Sequence, residues 1–103
     1  MDVKDCMRYA ILLICIAFPA LALDGPARVV DGDTIAIGRD RIRIQNFNAP
    51  EMNEPGGPEA KAKMQALTSG HIVHCDPKAR DKYARIVARC SVDGQDLGQA
   101  MRR

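Results

Sequence analysis

The sequence contains no tryptophan, and only two phenylalanines and two tyrosines among 103 residues. Tyr9 and Phe18 lie in an N-terminal apolar segment, which leaves Phe47 and Tyr83 for the rest of the chain. A general single-strand binder relies on stacking successive bases on aromatic rings, at about 1–3 kcal/mol per base. Two rings cannot build such a platform. Charge of one sign is also scarce: 15 Lys and Arg stand against 13 Asp and Glu, a net charge of +2. No strong basic stripe marks the chain as a nucleic-acid binder, so any phosphate chemistry must come from individually placed side chains. There is no repeat, no low-complexity tract and no linker, and the length allows one small domain.

A long membrane-spanning run is missing as well. The apolar stretch from Tyr9 to Phe18 is too short to span a bilayer, which needs about 20 residues, and Pro19 follows it. Lys4 and Arg8 precede the stretch, and Ala20-Leu21-Ala22 supplies the small-large-small pattern of a signal-peptidase site. Residues 1–22 therefore read as a signal peptide cleaved after Ala22. The mature protein would be periplasmic or secreted, with no stable membrane anchor. Its remaining residues, 23–103, are close to the size at which one core contributes only about 3–5 kcal/mol. Of the four cysteines, Cys6 and Cys15 leave with the signal, and Cys75 and Cys90 remain as an even pair in an exported chain. A disulfide between them is expected, closing a loop for which chain entropy gives about 3 kcal/mol.

Along the chain, Ala27 to Val30 is apolar, Asp31-Gly32-Asp33 is a turn, and Thr34 to Ile37 resumes the run. An Asp-Gly pair between β-rich runs is a strong hairpin signal, glycine accepting the positive φ of a tight turn. A second turn at Gly38-Arg39-Asp40 leads into Arg41 to Phe47, where Ile42 and Ile44 alternate with Arg41 and Arg43. Period two puts the isoleucines on one face and the arginines on the other. Asn48 to Gly57, rich in Pro, Asn and Gly, reads as a loop. A helix follows, with Pro58 in its first turn, Ala60, Met64 and Leu67 on one stripe, and Gly70 as the stop. His71 to Cys75 and Ile86 to Val92 read as strands flanking a charged loop, Asp76 to Arg85, and Asp96 as the N-cap of a short helix from Leu97 to Arg102. The expected fold is mainly β (α+β): a five-stranded OB-type barrel with one helix after the third strand and a short C-terminal helix.

The segments VVDGDT (Val29 to Thr34), RIRIQNFNAPE (Arg41 to Glu51) and DKYAR (Asp81 to Arg85), in this order and spacing, resemble the staphylococcal nuclease (thermonuclease) family over roughly Val29 to Met101. The resemblance implies a nuclease that hydrolyses phosphodiester bonds of DNA or RNA with one Ca²⁺ ion. It makes Asp33, the Ala49 carbonyl and the residue at position 48 calcium ligands, with Asp31 adding negative potential. Arg43 and Arg85 match the catalytic arginines, Glu51 the carboxylate that activates water, and Tyr83, with Lys82 beside it, a contact to substrate phosphate. Arg41 reads as the solvated face of its strand, and an Arg85–Asp81 ion pair on the surface is the bland alternative for Arg85.

The chain departs from the family at Asn48, where an aspartate is usual. The amide keeps an oxygen ligand but removes a charge, which implies weaker Ca²⁺ binding. Asn46 stands where glycine is common, and the sequence stops at Arg103, before a further helical segment of the family. The expectation is thus an exported, monomeric domain over residues 23–103, shortened at its C-terminus. The alternative function is a catalytically weakened or inactive module that binds nucleic acid or a protein partner.

Overall fold

The computed structural model describes residues 23–103. The expected signal peptide, residues 1–22, lies outside the described residues. The elements in chain order are β1 (Leu23–Gly25), β2 (Arg28–Asp31), β3 (Thr34–Ile37), β4 (Asp40–Ile44), α1 (Gly57–Thr68), β5 (Val73–Arg80), β6 (Ile86–Val92), β7 (Gln95–Asp96) and α2 (Leu97–Arg102).

The strands β2, β3 and β4 form the expected antiparallel meander, with Ile35 opposite Ile42 and Thr34 opposite Arg43. Beyond it, β6 runs parallel to β4 and pairs with β5, giving the order β1-β5-β6-β4-β3-β2 with β7 on β6. The sheet is therefore not closed into a barrel, contrary to expectation, and it has seven strands rather than five. Its two ends, β1 and β2, are consecutive in the chain but not hydrogen-bonded to each other: β1 pairs with β5 and β2 with β3. Pro26, which has no N–H to give a ladder, stands in the two-residue break between them.

The stretch 76–80, expected as loop, is the second half of β5. It pairs with β6 out to Arg80–Ile86, with a register shift between Pro77 and Ala79. Most of this stretch is exposed, so it carries polar residues and lacks the apolar alternation that marks a half-buried strand. In the opposite sense, β4 stops at Ile44 rather than Phe47, because Asn46 takes φ 65°. That left-handed conformation is one asparagine tolerates, which explains how it can stand where glycine is common.

Ile35, Ile42, Ile44, Met64, Val73, Cys90, Ala88 and Leu97 are fully or almost fully buried and form the centre of the core. α1 lies against β2 and presents Met64 to this cluster, with Ala60 and Leu67 packed at its margin. α2 begins at Asp96, whose Oδ2 accepts the Gln99 N–H at 2.9 Å, the expected N-cap. Lys63 of α1 donates to the carbonyls of Met101 and Arg103 at 3.3 and 2.6 Å, and Arg102 donates to the Asn46 carbonyl at 2.6 Å. Both helices are thereby tied to the turn that ends β4. Cys75 and Cys90, opposite one another on β5 and β6, form a disulfide inside the core. Among the described residues no helix is long and apolar enough to cross a membrane.

Candidate active site

The turn at residues 31–33 carries the first part of the site. Gly32 does not adopt positive φ, so the conformational reason expected for it does not apply. Close approach does: a β-carbon there would lie 2.6 Å from that of Ala60 and 2.7 Å from that of Ala49. With no side chain, the turn presses against α1 and the 47–51 loop, and Asp33 reaches that loop. Asp33 Oδ2 accepts the Ala49 N–H at 3.0 Å, and Oδ1 accepts the Thr34 hydroxyl at 3.1 Å. Asp31 Oδ1 accepts the Asp33 N–H at 3.1 Å.

Burial pushes the Asp33 carboxyl up, but the Ala49 N–H, the neighbouring Asp31 carboxyl and the Arg43 guanidinium outweigh it and hold Asp33 below its ordinary value. Asp31 moves the other way, raised by burial and by the Asp33 carboxylate beside it. Two acids pressed together in this way suit a hard cation, which takes oxygen donors and relieves their repulsion. Among the described residues no third Asp, Glu, His or Cys joins them in a metal-binding group. The charge count of any such site is low.

Arg43 engages its own loop. Nη1 donates to the carbonyls of Ile44 and Phe47, both at 2.6 Å, and Nη2 donates to Asn48 Oδ1 and lies 3.6 Å from Asp33 Oδ2. The guanidinium pins the turn after β4 and stands as counter-ion to Asp33, with only Nε unpartnered among the described bonds. The Asn48 amide oxygen, expected as a metal ligand, faces Arg43.

Arg85 is held differently. Asp81 accepts the Arg85 Nε at 2.7 Å, and also the backbone N–H groups of Tyr83 and Arg85 at 2.9 and 3.0 Å. The carboxyl of Asp81 is pushed up by desolvation but more strongly down by these donors, and stays below its ordinary value. The Asp81–Arg85 pair is thus part of a carboxylate-centred turn rather than an isolated surface pair, and it orients the guanidinium. Nη1 makes only a 3.5 Å contact to Thr34 Oγ1, and Nη2 has no partner among the described bonds. Arg85 therefore offers free donors where Arg43 offers almost none. Tyr83, 66% exposed, lies between Lys82 and Arg85, each cation 5.3 Å from the ring centre.

Glu51 comes to the same place from the loop before α1. Its N–H donates to Glu54 Oε1 at 2.7 Å, and its carbonyl accepts the Glu54 N–H at 2.9 Å. Gly57, at the start of α1, lets this turn settle, since a β-carbon there would fall 2.0 Å from the Glu51 carbonyl oxygen. Glu51, Tyr83, Arg85 and Arg41 line one open pocket of ≈ 390 Å³. Arg43 and Asn48 line another, of ≈ 380 Å³, with Asp81. A further depression, of ≈ 470 Å³, is lined by His74 and the cysteine pair among others. Its polar groups are engaged by neighbours: Asp24 with His74 at 3.0 Å, Arg89 with Asp96 at 3.3 Å, and Asp76 with Lys78 at 2.6 Å.

A buried threonine on the strand after an Asp-Gly-Asp turn, bonded on one side to Asp33 and within 3.5 Å of Arg85 on the other, joins the two halves of the site. The profile of the Staphylococcal nuclease homologue family matches residues 41–103, more than half of the chain. The chain belongs to the staphylococcal nuclease family. Among curated relatives, it is 34% identical over 101 residues to an uncharacterized endonuclease of Escherichia coli, covering 90% of this chain and 66% of that protein. It is 32% identical over 102 residues to the succinoglycan biosynthesis protein ExoI of Rhizobium meliloti (strain 1021), covering 87% and 53%. With protein ParB of Escherichia coli it shares 30% identity over 90 residues, covering 75% and 51%. The chain thus spans about half to two-thirds of the length of these relatives. Within this family member, sequence reasoning missed Thr34, whose hydroxyl is invisible in a pattern that already reads as strand. It also undervalued Asp81, whose backbone bonds no spacing rule announces.

Proposed function

We propose that this protein is a nuclease that hydrolyses phosphodiester bonds of DNA or RNA, exported from the cell and acting as a monomer. The observation that carries the reading is the convergence of Glu51, Tyr83 and Arg85 on one open pocket. A carboxylate, a phenol and a guanidinium with free donors are the groups that phosphodiester hydrolysis needs. Glu51 accepts the proton of a water whose oxygen attacks phosphorus. Arg85 holds the non-bridging oxygens as negative charge grows on the five-coordinate phosphorus, and does so from a position that Asp81 has already fixed, so little reorganisation is needed. The bond to the leaving oxygen then breaks as that oxygen takes a proton from solvent, and Tyr83, beside Arg85, donates an O–H hydrogen bond to the same phosphate. Arg43 acts by holding the 44–48 turn and Asp33 in place. A cation such as Ca²⁺, when bound by the Asp31 and Asp33 carboxylates with the Ala49 carbonyl oxygen, would supply charge neutralisation at the phosphate. The endonuclease name of a relative at 34% identity supports the reaction class, and the disulfide between Cys75 and Cys90 supports an oxidising, exported setting.

One observation favours a second reading, a weakened or inactive module that binds nucleic acid. Arg43 is occupied by internal acceptors, and Asn48 faces it rather than an ion. Incubating the purified protein with plasmid DNA and with RNA, with Ca²⁺ or with a chelator, separates the two. Ca²⁺-dependent cleavage supports the nuclease; retention of nucleic acid without cleavage under both conditions supports the binding module.

A further inference from the structure

Arg41 is the pocket-lining residue to which the resemblance gives no role. It sits on β4 two positions before Arg43, and the two share a strand face while Ile42 and Ile44 turn into the core. The three arginines around the site differ in what engages them. Arg43 is taken up by two carbonyls, Asn48 and Asp33. Arg85 is oriented by Asp81. Arg41 is exposed, and among the described residues no hydrogen bond or ion pair engages its guanidinium. It nevertheless lines the same pocket as Glu51, Tyr83 and Arg85.

A cation beside a carboxylate would ordinarily pair with it, which would tie up Glu51. No Arg41–Glu51 ion pair within 4.0 Å occurs among the described residues, so both groups stay open to a ligand. In the proposed reaction Arg85 and Glu51 act on the scissile phosphate, and Arg41 offers a second, unengaged guanidinium in the same open pocket. We infer that Arg41 is a specificity-determining residue: it holds the phosphate adjacent to the scissile one, so that the site prefers a polynucleotide over an isolated phosphodiester. The inference rests on the nuclease reading for the position of the scissile phosphate. A contact to a flanking phosphate is made equally in the ground state and the transition state, so its loss raises KM and leaves kcat. Releasing one fewer counterion lowers the slope of log affinity against log salt by about 0.7 for a single strand.

The test compares the parental protein with Arg41→Ala and with Arg39→Ala, a control on an exposed arginine in the β3–β4 turn. Two substrates are used, a single-stranded oligonucleotide and a dinucleoside monophosphate with no flanking phosphate. Arg41→Ala should lower the preference for the oligonucleotide roughly tenfold, the size expected for a charge-assisted contact, chiefly through KM, and Arg39→Ala should not. Equal loss on both substrates, or no loss on either, overturns the inference. Anisotropy of a labelled oligonucleotide in chelator, titrated across salt, decides the matter without turnover. Weaker binding with a shallower salt slope in Arg41→Ala supports the phosphate contact, and an unchanged slope overturns it. If neither substrate is cleaved by any variant, the nuclease reading fails, and the anisotropy alone rules on Arg41.

Discussion

Replacing Gly57 by alanine should displace Glu51 and lower activity in this protein. The added β-carbon would stand 2.0 Å from the Glu51 carbonyl oxygen, 2.8 Å from its carbonyl carbon and 2.9 Å from the Met52 α-carbon. All three neighbours are backbone, so no rotamer change relieves the clash. Ordinary carbon–oxygen contacts lie at about 3.3–3.6 Å, and the Glu51 segment must therefore retreat by about 1.3–1.6 Å. The move displaces backbone and disturbs the Glu51–Glu54 turn bonds, so it costs stability even though residues 51–56 are exposed. Gly57 does not use positive φ, and alanine is favoured over glycine in a helix by up to about 1 kcal/mol. That gain offsets only part of the cost of moving the Glu51 backbone, and the melting temperature should fall. Misplacing a catalytic group by about 1 Å costs on the order of 100-fold in rate, so kcat for oligonucleotide cleavage should fall by about that factor. Parental kcat in the folded variant would refute the assignment of Glu51 as the base.

Three further outcomes follow from the geometry. Ala84 holds φ 64° without being glycine, so Ala84→Gly should stabilise the protein by about 0.5–1 kcal/mol, once glycine's greater unfolded-state freedom is set against the relieved strain; a lowered melting temperature would count against this. Asp81 titrates below its ordinary 3.8 in the folded protein, so its bonds to the 82–85 turn contribute fully above about pH 4 and are lost as pH falls through the lowered value. The stability gap between the parental protein and Asp81→Asn in urea unfolding should shrink between pH 7 and pH 3, and a constant gap would contradict the assignment. Asn48→Asp adds a full charge beside Arg43, whose Nη2 also faces Asp33, and calorimetric titration should show tighter Ca²⁺ binding; unchanged affinity would mean that residue 48 serves Arg43 alone.

What the sequence discloses depends on how locally each feature is encoded. β3, β6 and α2 match their expected spans because alternation or an N-cap acts within a few residues. The outer half of β5 was illegible because its exposed positions carry Asp76, Lys78 and Arg80, and its strand character comes from pairing with β6. β1 and β7, at three and two residues, are too short to display a period. The open path of the sheet rests on the break at Pro26 and on the parallel β4–β6 pairing, a long-range fact. In the site, the residue types were legible but their engagement was not. Arg43 and Arg85 look equivalent in sequence, yet one is held by carbonyls and an amide and the other by a carboxylate. Arg41 reads as a solvated strand position and is exposed, and the fold alone shows that it also lines a pocket with Glu51.

The most direct test of the account is the turnover of Arg85→Lys on a saturating oligonucleotide, measured with its melting temperature. Lysine keeps the charge but loses the planar fork and the Nε bond that Asp81 uses to aim it. The kcat should fall by about 100-fold or more, with the fold intact. A variant that folds normally and turns over at the parental rate would contradict the claim that Arg85 carries the chemistry at this site.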